Sequence, residues 1–138
     1  MKDIRGALRA ILAADPTVNA LCAGRIYPVQ LAQGVRSPSV VYHRVTGLFD
    51  YVMNGPSGLV QSLMQIDSVA PGPDAATSLG NAVHDALTGF RGLVTFGSNS
   101  PQTSITIHGI FNTTERDSFD AVTEMNALQR DYQIWYWE

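Results

Sequence analysis

Apolar and polar residues alternate along residues 39–70 in the pattern that β-strands produce. Two strands are predicted there, over residues 39–53 and residues 59–70. Between them, residues 54–58 have the sequence NGPSG, and these residue types favour chain reversal. The sequence therefore predicts a long β-hairpin whose turn is formed by residues 54–58.

Apolar stripes at a helical period predict three helices. We place the first after Asp3 and extend it to residue 14, the second over residues 17–23, and the third over residues 74–88. Asp3 and Asp15 precede the first two helices, and an aspartate at that position accepts hydrogen bonds from the first free N–H groups of a helix. The first 23 residues are thus expected to form two short helices.

Four further segments have the composition of β-strands, namely residues 25–28, 93–96, 103–111 and 127–137. In the last of them, Tyr132, Ile134 and Tyr136 are expected on one face and the two tryptophans on the other. Such a strand is expected to be covered on both faces, by the core on one and by another element or another subunit on the other.

The third of these segments shows alternation over its whole length. Ile105, Ile107 and Phe111 are expected on one face of this strand and Ile110 on the other. Residues 112–123, which follow it, are polar and are interpreted as a stretch between strands rather than as part of one.

Together these elements predict an α+β fold in one domain, residues 1–138, with two to three helices packed on a mainly antiparallel sheet of four or more strands. The chain is 45% hydrophobic, which suits a protein that buries surface against copies of itself but also an ordinary compact domain. The net charge is −3 and the basic residues are scattered, so a nucleic-acid groove is not indicated.

No catalytic, cofactor or metal motif is present in the sequence. His43, His84 and His108 lack the spacing of a zinc site. Ser57 lies between two predicted strands, whereas a nucleophile elbow lies between a strand and a helix. We therefore expect no enzyme activity, no cofactor and no bound metal.

The residues alone leave two functional hypotheses open. One is a small oligomeric binding module of bacterial metabolism or regulation, and the other is a small hydrolase that uses Asp67 and His43. Asp50 and Asp67 lie on adjacent predicted strands, and paired carboxylates can carry out acid–base chemistry. Because both alternate with apolar residues, a solvated or interface role is favoured for them.

Cellular location is addressed by three features of the sequence. Cys22 is the single cysteine, cannot form an internal disulfide, and fits a reducing compartment as a small buried residue. No run of about 18 apolar residues occurs, so no membrane span is expected. Asp3 and Arg5 interrupt the beginning of the chain, so a signal peptide is not expected either.

A series of short motifs in a fixed order resembles one family of proteins. The motifs are GRIYP at residues 24–28, SPSVVY at residues 37–42, NGPSGLV at residues 54–60 and QID at residues 65–67. With short helices before them, and a helix and an aromatic strand after them, the chain resembles the tail-completion proteins of long-tailed bacteriophages. These are the tail terminators, or head-to-tail joining proteins.

This resemblance implies a function as a structural virion protein. It implies a ring, usually of six subunits, that caps the completed tail tube, stops its polymerisation and offers a surface to the head connector. The implied partners are other copies of the chain, the tail tube protein and the head–tail connector protein. DNA would pass through without specific binding. The implied location is the virion tail, assembled in the host bacterial cytoplasm.

The ring contacts are predicted in three segments: the hairpin tip at residues 51–58, the loop at residues 30–36, and the polar stretch at residues 112–120. The residues singled out for contacts with a neighbouring subunit or the tube are Gln30, Gln33, Arg36, Tyr51, Met53, Asn54, Pro56, Glu115, Arg116 and Asp117. Opposite charges in the third segment are expected to pair across a subunit boundary.

The acidic residues are expected to line the lumen, because a basic lining would retain DNA phosphates. Asp50 and Asp120 are the residues singled out for this position. Glu115 and Asp117 are also expected to face the lumen more often than the arginines at positions 36 and 116.

Overall fold

The structure, a computed structural model, describes residues 3–29, 37–97, 102–122 and 124–137. Three helices and six strands follow one another in the order α1 (Ile4–Ala14), α2 (Pro16–Cys22), β1 (Ile26–Pro28), β2 (Ser39–Val52), β3 (Gly55–Ala70), α3 (Pro73–Leu87), β4 (Gly92–Phe96), β5 (Thr103–Asp120) and β6 (Met125–Trp137).

The three predicted helices are present, with ends within one residue of those expected. Asp3 caps α1, and its carboxylate accepts a hydrogen bond from the N–H of Arg5 at 3.0 Å. Asp15 caps α2 in the same way, accepting from the N–H of Thr17 at 2.9 Å. These side chains replace the hydrogen bonds that the first turn of a helix lacks.

The six strands form one sheet in the order β1-β2-β3-β6-β5-β4. The pairs β2–β3, β3–β6, β6–β5 and β5–β4 are all antiparallel, whereas β1 lies parallel to β2. The α+β class is confirmed, and the expected mainly antiparallel sheet is corrected to a mixed one. The sheet is mixed because β1 runs in the same direction as β2, with Ile26 opposite Val40 and Pro28 opposite Tyr42.

All three helices contribute to a single apolar core against one face of the sheet. Leu79 of α3 and Met64 of β3 are both fully buried there. A Cβ atom added at Gly80 of α3 would lie 2.5 Å from Leu128 Cδ2, so a larger residue at this contact between α3 and β6 would force Leu128 to move. We call this side of the sheet the helix-covered face and the opposite side the helix-free face.

The turn of the first hairpin lies earlier than predicted. The chain reverses at Met53 and Asn54, and β3 already begins at Gly55, opposite Val52. The Gly-Pro-Ser-Gly segment forms an irregularity within β3 instead, where Gly58 has a φ of 91°. Glycine adopts this conformation without the penalty that a Cβ atom would bring, so the segment bulges rather than turns.

The prediction that residues 112–123 form a polar stretch between strands is wrong, because β5 continues to Asp120 and pairs with β6 along that length. Both sides of this part of β5 are exposed, so its sequence has no reason to alternate. The chain thus contains two long hairpins, β2–β3 and β5–β6. Their tips point in opposite directions, because β3 and β6 are antiparallel neighbours.

A second correction concerns the faces of β5. Ile105, Ile107 and Ile110 are buried, whereas Phe111 is 56% exposed. A register shift between Ile107 and Gly109 inserts one residue and reverses the alternation beyond it. The prediction that Phe111 lies on the same face as Ile105 and Ile107 is wrong for that reason.

Candidate assembly surfaces

The tip of the β2–β3 hairpin extends beyond the helices and exposes large apolar side chains. Tyr51 is 67% exposed and Met53 is fully exposed. Asn54 and Pro56, the other predicted contact residues of this tip, are exposed as well. The structure thus brings these four residues together at one end of the sheet, and their role as contacts stays a prediction.

The two acidic residues assigned to the lumen both hold local structure at a hairpin. Asp50 Oδ2 accepts a hydrogen bond from Ser57 Oγ at 2.7 Å, across the irregular segment of β3. Asp120 Oδ1 accepts one from the N–H of Val122 at 2.9 Å, in the turn of the second hairpin. Both side chains are exposed, so a position in a lumen is compatible with these bonds and is not tested by them.

The centre of the helix-free face carries a polar network around Arg116. Its Nε donates to Gln129 Oε1 at 3.0 Å, its Nη2 to Gln65 Oε1 at 2.8 Å, and its Nη1 to Asp131 Oδ2 at 3.3 Å. Thr114 Oγ1 donates to the same oxygen of Asp131 at 2.6 Å. One guanidinium group therefore links β3, β6 and β5 through charge-assisted hydrogen bonds.

The neighbouring acidic residues lie on the helix-covered side. Arg130 Nε donates to Glu115 Oε2 at 2.8 Å, and its Nη1 donates to Gly80 O of α3 at 2.7 Å. Asp117 is exposed opposite Leu128, which packs beneath α3. The charges of Glu115 and Arg116, expected to pair between subunits, pair within the chain.

Three predicted contact residues, Gln30, Gln33 and Arg36, lie outside the described residues.

Sequence reasoning missed an open apolar concavity on the helix-free face, near the end of the sheet that carries the β2–β3 tip. Its volume is about 530 Å³, and it is lined by Leu59, His108, Gly109, Phe111, Trp135 and Trp137. The lining residues come from the β5–β6 hairpin and from β3, which lies far from it in sequence. The signal in the sequence was the pair of tryptophans, but their partner Phe111 was assigned to the other face.

In the described part of the chain, no hydrogen bond joins Asp67 to His43, the two residues of the hydrolase alternative. Asp67 Oδ1 accepts a hydrogen bond from Gln65 Nε2 at 2.9 Å, and burial raises the pKa of Asp67. His43 Nδ1 is buried and has no hydrogen-bond partner among the described residues. Asp50 lies at the far end of β2 from Val41, the residue opposite Asp67, so the two carboxylates do not meet.

The other candidate ligands are separated in the fold. His84 Nδ1 lies 3.3 Å from the Tyr132 hydroxyl, and the ring of His108 packs edge-on against Trp137. Cys22 is buried in the core. Within the described ranges, no group of three or more His, Cys, Asp or Glu side chains is placed to hold a metal ion. None of the described helices is both long enough and apolar enough to cross a membrane.

Comparison with known proteins agrees with the resemblance seen in the sequence. The fold is similar to that of a chain in the virion of a native gene transfer agent particle, with a TM-score of 0.71, 16% sequence identity and coverage of 100% of both chains. No curated protein matches the chain significantly. The family model of tail completion protein gp17 matches residues 6–136. The predicted resemblance is thereby confirmed: the chain belongs to the tail completion protein gp17 family and is a structural protein of the bacteriophage virion tail.

Proposed function

We propose that this protein forms a ring on the end of the completed tail tube, stops tube polymerisation and provides the surface to which the head connector binds. The ring has six subunits, as the resemblance implies. Its partners are other copies of the chain, the tail tube protein and the head–tail connector protein, and DNA passes through without specific binding. The protein acts without catalysis or a cofactor.

The observation that carries this proposal is the exposed apolar tip of the β2–β3 hairpin. Leu48, Tyr51, Val52 and Met53 are large apolar residues that the chain's own helices leave uncovered. Exposing them costs free energy that association recovers, because burying apolar surface is the main driving force of protein association. A tail-completion protein must make such contacts with several partners.

The concavity lined by Trp135 and Trp137 supports a contact at the same end of the molecule. Leu59 belongs both to this concavity and to the surface beside Phe49 and Asp50 near the hairpin tip. One end of the sheet therefore presents a projecting apolar tip and an apolar depression. Such a pair suits a contact with a neighbouring subunit or with the end of the tail tube.

The experiment replaces Tyr51 and Met53 together by Asp, in the purified protein and in infected cells. Burying two carboxylates at a contact is unfavourable, so rings are lost while the monomer stays folded, and tails grow past their normal length or fail to join heads. Oligomeric mass is measured by light scattering and tail length by electron microscopy.

The control is Leu21→Asp, which places one carboxylate on an exposed apolar residue of α2, on the side of the sheet opposite the concavity. This variant is expected to form rings and to give tails of normal length. Rings and normal tails from the Tyr51→Asp, Met53→Asp variant would contradict the assignment of the tip as a contact. Absence of any ring from the unmodified protein, with or without tubes, would contradict the proposed function itself.

A further inference from the structure

Two strand edges are bare along much of their length in the part of the chain that the structure describes. β1 pairs only with residues 40–42 of β2, and β4 pairs only with residues 103–107 of β5. The remainder of each strand pairs on one side alone. We call residues 43–52 the β2 edge and residues 108–120 the β5 edge. The unpaired N–H and C=O groups of such edges are a template for another strand.

The directions of these two strands match for association between copies. Each pairing from β2 through β3 and β6 to β5 is antiparallel, so β2 and β5 run in opposite directions. When two copies stand side by side in the same orientation, the β5 edge of one therefore faces the β2 edge of the other in an antiparallel sense. The antiparallel order of the sheet continues unbroken from one copy to the next.

We propose that the β2 edge of each copy pairs with the β5 edge of the next copy, so that main-chain hydrogen bonds join the subunits. This rests on the ring proposed above and identifies the surface that closes it. The contact uses two different surfaces of one chain, which is the type of contact that generates a ring when the rotation closes. It commits each subunit to two neighbours of its own kind.

Bulges confine the pairing to short regular runs. The pairing of β2 with β3 shifts between Arg44 and Thr46, where β2 carries one extra residue, and between Phe49 and Tyr51, where the extra residues lie in β3. Residues 46–49 form the regular run between these two shifts. β5 has a shift between Asn112 and Thr114, beyond which residues 114–120 are regular. Because a bulge disrupts the ladder and bends the strand, residues 46–49 pair within residues 114–120.

The short strands limit how far the two copies can slide. β1 covers β2 at the end of the sheet near Ala70, and β4 covers β5 at the opposite end, near Trp137. When the β2 edge of one copy pairs with the β5 edge of the next, the two copies are therefore displaced relative to each other along the strand direction. The β1 strand of the first copy lies beyond one end of the contact, and the β4 strand of the second lies beyond the other end. A closed sheet of tilted strands requires a stagger of this kind.

Proline variants test the contact, because proline removes the N–H group on a chosen side of a strand. Val40 N donates to Arg25 O at 2.9 Å, so Val40 directs its main-chain groups toward β1. Counting alternate residues through the register places the N–H of Gly47 on the β2 edge and that of Asp117 on the β5 edge. The variants are Gly47→Pro and Asp117→Pro, with Gly47→Ala and Asp117→Ala as matched controls that keep the N–H.

Each proline variant alone is expected to lose the ring, and the alanine variants to keep it. An equimolar mixture of the two proline variants keeps one intact edge of each kind and is expected to give dimers of one copy of each. Native mass spectrometry distinguishes these species. If the edges paired with themselves instead, Gly47→Pro alone would dimerise through its β5 edge, and this outcome would overturn the proposal.

Amide hydrogen exchange of the unmodified protein is a second test, and its result does not depend on how the variants fold. The amides of Gly47 and Asp117 are expected to be protected in the ring and to exchange at least tenfold faster in the dilute monomer. Rings with equal exchange in both states, or rings from both proline variants, would overturn the edge contact and leave the proposed function intact. Absence of rings from the unmodified protein would overturn both.

Discussion

The two faces of the sheet are built from alternate residues of the same strands, yet they carry different chemistry. On the helix-covered face, Met64 and Tyr132 are fully buried beneath the helices. On the helix-free face, the neighbouring residues Gln65 and Asp131 belong to a hydrogen-bonded polar network around Arg116. The covered face stabilises the single chain, whereas the helix-free face and the hairpin tips keep surface for other molecules.

The largest difference in stability is expected between two leucine-to-alanine variants, one in α3 against the helix-covered face and one on the helix-free face. Leu79→Ala opens a cavity in the core and is expected to lower the free energy of unfolding by about 2–5 kcal/mol. Leu63→Ala, on the half-buried helix-free face, is expected to cost less than half as much, because solvent already reaches the site. Urea unfolding of both variants measures the difference, and equal losses would contradict the division between the faces.

Two arginines one register row apart sharpen the comparison. The side chain of Arg130 is 11% exposed and donates to Gly80 O and Asn81 Oδ1 of α3, whereas that of Arg116 is 44% exposed. Arg130→Met removes the guanidinium hydrogen bonds that tie β6 to α3 and to Glu115, and is expected to cost about 1–3 kcal/mol. Arg116→Met is expected to cost less than about 1 kcal/mol, because water can replace the arginine.

Thermal and urea unfolding of the two methionine variants, both measured as monomers, test this order. A larger loss for Arg116→Met would show that the polar network, and not the contact with α3, holds the second hairpin in place.

The smallest effect concerns Asp67 on the helix-free face. Burial raises its pKa above the ordinary value of 3.8, so the folded protein binds this proton more tightly than the unfolded chain does. The stabilisation by the proton is present below the unfolded pKa and is lost as the pH rises through the folded pKa. At neutral pH the charged carboxylate therefore costs stability.

Asp67→Asn removes that charge and keeps an oxygen that accepts from Gln65 Nε2. We expect a gain of a few tenths of a kcal/mol at neutral pH, reduced by partial solvent exposure of the site. The gain should shrink as the pH falls through the raised pKa. A pH series of unfolding free energies measures it, and a loss of stability at neutral pH would contradict the assigned direction.

Periodicity predicted the helices well because their partners are local. The stripe that contains Leu8 and Leu12 and the caps Asp3 and Asp15 depend only on residues within a few positions, and all three helices were found within one residue of the expected ends. The alternation of Tyr132, Ile134 and Tyr136 was also confirmed, because the strand is regular and one face is buried.

Three features of the fold were beyond such reasoning. The register shift after Ile107 moves Phe111 to the opposite face, because one inserted residue reverses every later position. The outer half of β5 has no buried face, so its polar sequence gave no strand signal. The segment at residues 55–58 has turn residues but lies in β3, because the reversal occurs at Met53 and Asn54.

The sequence by itself determined the α+β class, the apolar stripes of the helices, the buried face of β6 and the family resemblance, since each follows from local pattern or from short motifs in order. Tertiary structure alone decided which polar groups meet. Arg116 joins Gln65, Gln129 and Asp131 from two other strands, and the bare edges of β2 and β5 exist only because β1 and β4 are short. The physical reason is strand register: pairing between distant segments sets which side chains and main-chain groups find a partner, and no local pattern encodes that choice.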